Sequence, residues 1–246
     1  MVVTQTNIGM GGRLGNSLFA IASCIGIAKA NDMAYTFPNW KYQRGFKNPL
    51  PCFVVEPEVK ILEEQFHYEK ITLNKHSVTD LVGYWQSPKY WEHCKEEVLK
   101  YFEFKDDAFS PYETKVLRTK YDEIAIHVRR GDYLTLPDYH PILPMSYYEE
   151  AVWYFKGKKF LVFSDDIEWC KQNFIGEQFS FSQGDEIKDL RAMAQCQGHI
   201  LANSSFSWWG HYLSASKYCI APKQLFGSAL SHHDTKDWYL PHMKLI

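Results

Sequence analysis

The feature that most constrains the fold is the alternation of short apolar strands with helical segments along the chain. The first three segments are a strand predicted over residues 2–8, a helix over 17–30 and a strand over 33–37. Later predicted elements are strands at 124–128, 160–163, 199–202 and 218–220, and helices at 147–156, 185–197 and 204–214. Strands that alternate with helices form parallel sheets with helices on their faces. The sequence therefore predicts an α/β fold.

The least regular composition lies in the first half and predicts a domain boundary before the second series of strands. Residues 38–80 contain four prolines and mixed polarity, which predicts loops and short strands. A helix is predicted over 87–101, with Ser87 as its N-cap. A chain of 246 residues is long enough for two domains that each bury a core. We therefore expect an N-terminal domain over 1–115 and a C-terminal domain over 116–246.

Composition and charge argue against several classes of function. The net charge is −2, with 23% charged and 46% hydrophobic residues, which gives no general attraction to nucleic acid. The six cysteines form no CxxC pair, which predicts reduced thiols in a cytoplasmic protein. No apolar run approaches the length of a membrane span, so we expect no transmembrane segment. The composition leaves the oligomeric state open.

The most informative chemical motif is a charged turn after the strand at 124–128. His127, Arg129 and Arg130 lie at the carboxyl end of that strand and precede Asp132. Ligands of open α/β sheets bind at this edge, and a guanidinium group matches phosphate with a fork of donors. The turn therefore predicts a site for an anionic, phosphorylated ligand. A surface turn with solvated arginines is the alternative.

A second candidate site is the serine-rich junction between the strand at 199–202 and the next helix. Asn203, Ser204, Ser205 and Ser207 surround the predicted helix N-terminus. Free backbone N–H groups and hydroxyls at such a position can bind a phosphate. Serines also cap helices, and the two roles can coexist. The junction therefore predicts a second set of phosphate ligands.

Asp165 and Asp166 follow the strand at 160–163 and form a third candidate site. Adjacent carboxylates can bind a divalent metal, accept hydrogen bonds from a ribose or base, or cap the next helix. Asp165 together with Glu168 has the spacing of such a cap. No further cluster of Asp, Glu or His is evident in the sequence to complete a metal shell. We therefore predict no metal site.

The N-terminal glycine loop, residues 9–16, is a fourth candidate site. Gly12 and Gly15 permit a close approach of the backbone to a ligand, and Asn16 can cap the helix or reach that ligand. Leu14 occupies the third glycine position of a dinucleotide-binding fingerprint, and no Gly-Lys-Ser/Thr triplet of an NTP-binding loop is present. The loop therefore argues against a dehydrogenase or an NTPase.

Five motifs occur along the chain in a recognisable order. They are Gly12-x-Leu14-Gly15-Asn16, Gly83-Tyr84-Trp85-Gln86-Ser87-x-Lys89-Tyr90, His127-x-Arg129-Arg130-Gly131-Asp132-Tyr133, Phe163-Ser164-Asp165-Asp166 and Asn203-Ser204-Ser205-Phe206-Ser207-Trp208-Trp209. In this order they resemble the motifs of the α-1,2-fucosyltransferases of glycosyltransferase family 11. The resemblance extends from about residue 9 to 222.

The resemblance implies a GT-B-type fold of two Rossmann-like domains with parallel sheets. The C-terminal domain would bind GDP-fucose and the N-terminal domain would face the acceptor. By the same resemblance, Arg129 binds the β-phosphate and stabilises the departing GDP. Other implied roles are as follows: His127 and Arg130 position the turn and the donor, Asp165 and Asp166 contact the nucleoside, Ser205 and Ser207 bind the pyrophosphate, and Asn16 approaches the fucose. Gly12, Gly15, Asn203 and Ser204 complete the expected donor-binding set.

The implied reaction is displacement of GDP from C1 of GDP-β-L-fucose by a glycan hydroxyl, with inversion. We expect an α-1,2 linkage to a terminal galactose. Fixed guanidinium and helix N–H groups stabilise a departing pyrophosphate, so we expect neither a cofactor nor a metal, GDP-fucose being a substrate. Arg129, Asn16 and Asp132 are the expected catalytic residues, with Asp132 as the base ahead of Glu149 and Glu150. A salt bridge that aims an arginine explains Asp132 equally well.

Two departures from the family pattern leave the acceptor and linkage open. The chain has Arg13 within the glycine loop and Ser17 where the family usually has Gln. The resulting Gly-Arg-x-Gly-Asn form is similar to the protein O-fucosyltransferases. Transfer from another nucleotide-sugar is an alternative within the enzyme class. A glycan-binding module that uses the abundant Trp and Tyr residues is the alternative outside it, and it leaves the paired arginines unexplained.

Overall fold

The computed structural model describes residues 1–10, 12–105, 121–214 and 216–246, which belong to two compact units. Within these ranges, the first unit contains residues up to 105 together with His233–Tyr239, and the second contains the rest. The predicted boundary at 115/116 lies outside the described residues. Segment 233–239 was predicted in the C-terminal domain, whereas it belongs to the first unit. Buried Asp237 holds it there, because its carboxylate accepts from the Tyr68 N–H at 2.9 Å and pairs with Lys89 Nζ at 2.6 Å.

The first unit is built on a parallel sheet with the strand order β2-β1-β4-β3. Two α-helices are described in this unit, and short 3-10 helices lie at Lys41–Gly45, Pro88–Tyr90 and Glu92–Cys94. The elements are β1 (Val2–Thr4), α1 (Leu14–Ala30), β2 (Ala34–Thr36), β3 (Val59–Leu62), β4 (Thr79–Val82) and α2 (Lys95–Tyr101).

Three predicted element boundaries in this unit were wrong. The first strand was predicted over 2–8, but β1 ends at Thr4 because the chain turns just after it, where the Ile8 N–H donates to the Gln5 carbonyl at 3.4 Å. Helix α1 begins at Leu14 instead of Ser17, because Leu14 is fully buried and the N–H of Ser17 donates to the Arg13 carbonyl at 3.1 Å. The continuous helix predicted over 87–101 is divided into two 3-10 turns followed by α2. Trp91 interrupts it, since its ring is fully buried and its backbone has a non-helical ψ of 4°.

The second unit is built on a larger parallel sheet with the strand order β10-β9-β8-β5-β6-β7. The predicted strand at 199–202 begins earlier, at Cys196, where the preceding helix ends. The elements are β5 (Tyr121–Val128), α3 (Met145–Tyr154), β6 (Phe160–Ser164), α4 (Ile167–Asn173), β7 (Phe179–Phe181), α5 (Glu186–Gln195), β8 (Cys196–Ile200), α6 (Ser205–Tyr212), β9 (Cys219–Ala221) and β10 (Lys244–Leu245).

Each sheet has a topological switch point, which is the pair of neighbouring strands at which the order of the strands along the chain reverses. In the second unit β5 lies between β6 and β8, so the switch is between β5 and β8. In the first unit β1 lies between β2 and β4, so the switch is between β1 and β4. Ligands of open α/β sheets bind beyond the carboxyl ends of the strands at this point. The two parallel sheets confirm the predicted α/β class.

The cysteines and the helices test two predictions made from composition. All six cysteines are free, and Cys24, Cys170, Cys196 and Cys219 are buried, which confirms unbridged core thiols. Within the described residues, no helix combines the length and apolar character that crossing a bilayer requires.

Candidate active site

The arginine turn lies at the carboxyl end of β5, beside the switch point of the second unit. Arg129 is held from two sides: Nη1 donates to Asp165 Oδ2 at 2.5 Å, and Nη2 donates to Asp132 Oδ1. The Arg129 side chain is 13% exposed, and its guanidinium carbon lies 5.0 Å from the centre of the Tyr133 ring. The turn is therefore an ordered array of charge and not a set of solvated side chains.

Arg130 is fixed by separate contacts on the same edge. Its backbone N–H donates to Asp165 Oδ1 at 2.9 Å, and its Nε donates to Asp166 Oδ2 at 3.0 Å. The guanidinium carbon lies 3.9 Å above the ring of Trp169 on α4, a cation–π distance. Asp165 thus joins the two arginines, through the side chain of Arg129 and the backbone of Arg130.

Gly131 allows the close approach of Asp165 to the turn. A Cβ at this position would lie 2.3 Å from Asp165 Oδ2, the oxygen that binds Arg129. Such a contact is shorter than side chains tolerate, and the carboxylate would have to move. The glycine in the motif is therefore required by the ion pair next to it.

The serine-rich junction lies at the carboxyl end of β8, on the other side of the switch point. Ser204 is the N-cap of α6, and its hydroxyl accepts from the N–H of Phe206 at 3.3 Å, as predicted. Ser205 is the first helical residue and is partly exposed. Ser207 is fully buried, and its hydroxyl lies 3.1 Å from the Ser204 carbonyl. Its burial indicates that Ser207 supports the helix start, and a direct contact with a phosphate stays a prediction.

Asn203 connects the two halves of this edge. Its side-chain amide donates to the carbonyls of Pro141 at 2.9 Å and Leu225 at 3.2 Å, and its own carbonyl accepts from the Tyr133 hydroxyl at 3.1 Å. Its buried Oδ1 has no hydrogen-bond partner among the described residues. Asn203 therefore ties the arginine turn to the start of α6.

His127 lies under the turn as a neutral ring. It is 6% exposed, its ring centre lies 5.4 Å from that of Phe206, and its Nδ1 has no partner among the described residues. Burial, with a smaller contribution from the Arg129 charge, lowers the pKa of His127 to about 3. A neutral imidazole is suited to orienting neighbours and not to compensating a phosphate charge.

The two aspartates divide the roles that the sequence left open. Asp166, and not Asp165, is the N-cap of α4, where its side chain accepts from the Trp169 N–H at 3.3 Å. The predicted Asp165 cap is therefore wrong, because Asp165 is occupied by the arginines 35 and 36 positions earlier. Across the described ranges, no group of three or more His, Cys, Asp or Glu side chains is arranged to hold a metal ion.

The glycine loop lies at the switch point of the first unit. Gly12 has a φ of +99°, a conformation that favours glycine, and a Cβ there would lie 2.4 Å from Asn16 Nδ2. Asn16 lies in the first turn of α1, and its Oδ1 accepts from Gln86 Nε2 at 3.1 Å. Gly15 is buried within the same turn. Gln86 therefore orients the Asn16 amide.

Gln86 is itself held by a strained turn after β4. Glu63, just beyond β3, accepts from the N–H of Tyr84 at 2.7 Å and of Trp85 at 2.9 Å. Trp85 is buried with a φ of +54°, which few non-glycine residues adopt. Burial raises the pKa of Glu63, although these backbone N–H groups act in the opposite direction. The second motif thus serves to present Gln86 to the glycine loop.

Sequence reasoning missed several residues that the structure brings to these edges. Trp169 was detectable, since it lies one helical turn beyond Asp166 on the predicted helix. Tyr133 and Gln86 stood within the quoted motifs, but their partners Asn203 and Asn16 are 70 residues away in each case. No local pattern encodes such pairs.

Known proteins resemble the chain in sequence. A model described as glycosyl transferase family 11 matches residues 4–242. The alpha-1,2-colitosyltransferase of Escherichia coli is 30% identical over 189 residues, which cover 67% of this chain and 64% of the relative. The galactoside 2-alpha-L-fucosyltransferase Sec1 of Mus musculus is 23% identical over 230 residues, which cover 82% of this chain and 62% of the relative. The matched region spans less than two thirds of each of these relatives.

The fold is also similar to a solved structure. The crystal structure of fucosyltransferase NodZ from Bradyrhizobium superposes with a TM-score of 0.54 and 12% identity, covering 87% of this chain and 93% of that chain. At this identity the likeness concerns the fold. It confirms the predicted GT-B-type α/β class.

Proposed function

The chain belongs to glycosyltransferase family 11, and on this premise we propose that it transfers L-fucose from GDP-β-L-fucose to a glycan hydroxyl. The observation that carries the proposal is the arginine turn at the switch point of the second unit. Arg129 and Arg130 are positioned there by three carboxylates, opposite the N-terminus of α6. A nucleoside diphosphate is the ligand that this combination of charge and helix N–H groups suits best.

The arrangement is suited to stabilising a leaving group. When C1 of the sugar separates from GDP, negative charge accumulates on the β-phosphate and positive charge on the sugar ring. Arg129 is held in place by the carboxylates of Asp165 and Asp132, so it needs little reorganisation as that charge develops. The acceptor oxygen attacks the opposite face of C1, and the linkage changes from β to α. No cofactor is required by this chemistry.

Further donor contacts are proposed for each unit by itself. Ser204 and Ser205 place two hydroxyl groups at the N-terminus of α6, while His127 and Asn203 hold the turn and the helix together. In the first unit, Gly12 and Gly15 flank Asn16 in the loop and first turn of α1, and the Asn16 amide, oriented by Gln86, is the contact to the fucose that the family resemblance proposes. Nucleoside contacts by Asp165 and Asp166 stay a prediction, since both carboxylates already pair with arginines.

The proposed acceptor is a glycan with terminal galactose, joined through an α-1,2 linkage. Support comes from a mouse relative named as a galactoside 2-alpha-L-fucosyltransferase. Arg13 and Ser17 depart from the usual family loop, so other acceptors belong in the same assay. A bacterial relative is named for colitose transfer, which makes a GDP-linked deoxy sugar the second candidate donor.

The proposal is tested by incubation with GDP-fucose or GDP-colitose and a panel of glycans, with the product linkage determined by NMR. We expect GDP release that depends on a galactose-terminated acceptor. Arg129→Ala should lower kcat by about 100-fold to 1,000-fold, the usual effect of losing one oxyanion donor. Lys171→Ala, which removes an exposed cation paired with Glu168 on α4, is the matched control and should be unaffected. Equal activity of Arg129→Ala and wild type would contradict the proposal.

Independence from metal ions is a separate prediction. The arginines and helix N–H groups supply the charge that a divalent cation supplies in other transferases. Transfer should therefore continue at an unchanged rate after dialysis against EDTA. Loss of activity in EDTA that is restored by Mg²⁺ or Mn²⁺ would show this to be wrong.

A further inference from the structure

In the proposed reaction the acceptor hydroxyl loses a proton, and a basic residue must accept it. Asp132 was the first candidate from the sequence, but its carboxylate pairs with Arg129 Nη2. If Asp132 took up a proton, its ion pair with Arg129 would be weakened, and Arg129 is the residue that stabilises the departing GDP. A second basic group is therefore needed on the same edge of the sheet.

His140 lies on this edge, in the loop between the 3-10 helix Gly131–Thr135 and α3. Its ring stacks on Tyr133 with the centres 4.5 Å apart and the planes 14° apart. Tyr133 in turn faces Arg129 and donates to the Asn203 carbonyl. His140 thus packs against Tyr133, the residue that joins the arginine turn to the start of α6.

The loop that carries His140 is held in place by hydrogen bonds to the backbone of the residues on either side of it. The Pro141 carbonyl accepts from Asn203 Nδ2 at 2.9 Å, and the Tyr139 carbonyl accepts from the N–H of Gly227 at 2.9 Å. Phe226 packs against the other side, with ring centres 6.1 Å apart. The ring is partly exposed, and its nitrogens make no hydrogen bond with any described residue. They are available to a substrate.

We propose that His140 is the general base that accepts the proton of the acceptor hydroxyl. The inference rests on the proposed transfer from GDP-fucose. As the acceptor oxygen forms its bond to C1, the bond from C1 to the β-phosphate oxygen breaks and its electron pair leaves with GDP. The acceptor proton passes to a His140 ring nitrogen and then to solvent.

The surroundings of His140 favour its uncharged imidazole form. Burial is the main cause that lowers the pKa of His140, the Asp132 carboxylate raises it, and the Arg129 charge lowers it. The other packed groups are uncharged, namely the Tyr133 ring and Phe226. Asp138 in the same loop bonds Ser228 Oγ at 3.3 Å instead. A neutral imidazole can accept a proton in the transition state.

The decisive variant is His140→Phe, which keeps a ring to stack on Tyr133 and removes both nitrogens. We expect kcat to fall about 100-fold or more, the usual contribution of a general base, while the Kd for GDP changes less than about threefold. His76→Phe, at an exposed histidine of the first unit, is the matched control. Retained kcat in His140→Phe would overturn the inference, whereas absence of transfer by the wild type would overturn the proposed function itself.

Two further readouts distinguish a base from a structural ring. The acidic limb of the wild-type pH–rate profile should disappear in His140→Phe. In His140→Ala, added imidazoles should restore transfer in proportion to their basicity. If the acidic limb is unchanged in His140→Phe, or if rescue of His140→Ala does not depend on the pKa of the added imidazole, the ring has a packing role and the inference is contradicted.

Discussion

At Arg129, two carboxylates determine the position of the guanidinium group. Asp165 and Asp132 take one Nη group each, and Tyr133 covers the face. A guanidinium group has five donors, so hydrogens remain for a phosphate after these two contacts. The rigid position matters because a phosphate ligand misplaced by about 1 Å can cost a factor of about 100 in rate.

Gly131 provides the sharpest test at this scale. Gly131→Ala should displace Asp165, because the added Cβ would lie 2.3 Å from its Oδ2, and thereby release Arg129. We expect a loss of at least tenfold in kcat/KM with the fold retained. In an Asp165→Ala background the same substitution has no carboxylate to displace, so its further effect should be small. Additive effects in this double-mutant cycle would contradict the coupling.

Helix α6 combines a structural cap with a proposed ligand site. It begins at the switch point of the second sheet, and its N-cap Ser204 satisfies one of the free N–H groups. The remaining N–H groups, together with the helix dipole, favour an anion at this end. Helix α5 offers a comparison, because Asp185 caps it by accepting from the N–H groups of Ile187 and Lys188, both at 3.0 Å.

Removing the two caps should separate stability from ligand binding. Ser204→Ala and Asp185→Ala should each lower the free energy of unfolding by about 1 kcal/mol, the typical value of an N-cap. Only Ser204→Ala should weaken GDP binding, because only α6 starts at the proposed phosphate site. Calorimetric titration with GDP measures the difference. Equal loss of affinity in both variants would indicate a general effect of destabilisation.

At the scale of the whole molecule, the second unit contains three histidines joined by hydrogen bonds, of which His199 and His211 are buried. His199 Nε2 lies 2.8 Å from the Met193 carbonyl, which can only accept, so this nitrogen carries a proton. His199 Nδ1 must then accept from His211 Nδ1 at 3.1 Å, and His211 Nε2 from His242 Nε2 at 2.8 Å. One backbone carbonyl therefore determines the tautomers of His199 and His211 and requires a proton on His242 Nε2, and a charged His199 or His211 would disrupt these hydrogen bonds.

The buried histidines of the second unit predict a loss of stability in mild acid. Burial lowers the pKa of His127 to about 3, of His199 to about 4 and of His211 to about 2, all from 6.5. Below pH 6.5 the unfolded state binds these three protons first, whereas Asp189, whose pKa burial raises to about 6, binds one in the folded state. For these four groups the difference is two protons, and their contribution lowers the free energy of unfolding by roughly 3 kcal/mol per pH unit between pH 6 and 4.

Denaturant unfolding followed at pH 7.5, 6.5, 5.5 and 4.5 measures this slope. His211→Gln should reduce it by about one proton, or roughly 1.4 kcal/mol per pH unit, while exposed His76→Gln should leave it unchanged. A free energy of unfolding that stays constant between pH 7 and 5 would show that these rings are not neutral and buried in solution.

Much of the fold was predictable because helix and strand periods are local properties of the sequence. The alternation of elements, the parallel sheets and the position of each motif at a strand end all follow from residues close together in the chain. The boundaries of α1 and of the 87–101 segment were wrong where a buried Leu14 or Trp91 determines the backbone. Burial depends on the neighbours that fold against a residue, so local period alone does not reveal it.

By itself, the sequence determined the class of fold and, through five ordered motifs, the family and the edges on which a site would form. Tertiary structure decided which side chains meet there: Asp165 binds Arg129 while Asp166 caps α4, Ser207 is buried, and His140 stacks on Tyr133. It also assigned residues 233–239 to the first unit. The physical reason is that hydrogen bonds and ion pairs act over a few ångströms in space, whatever the separation of their partners along the chain.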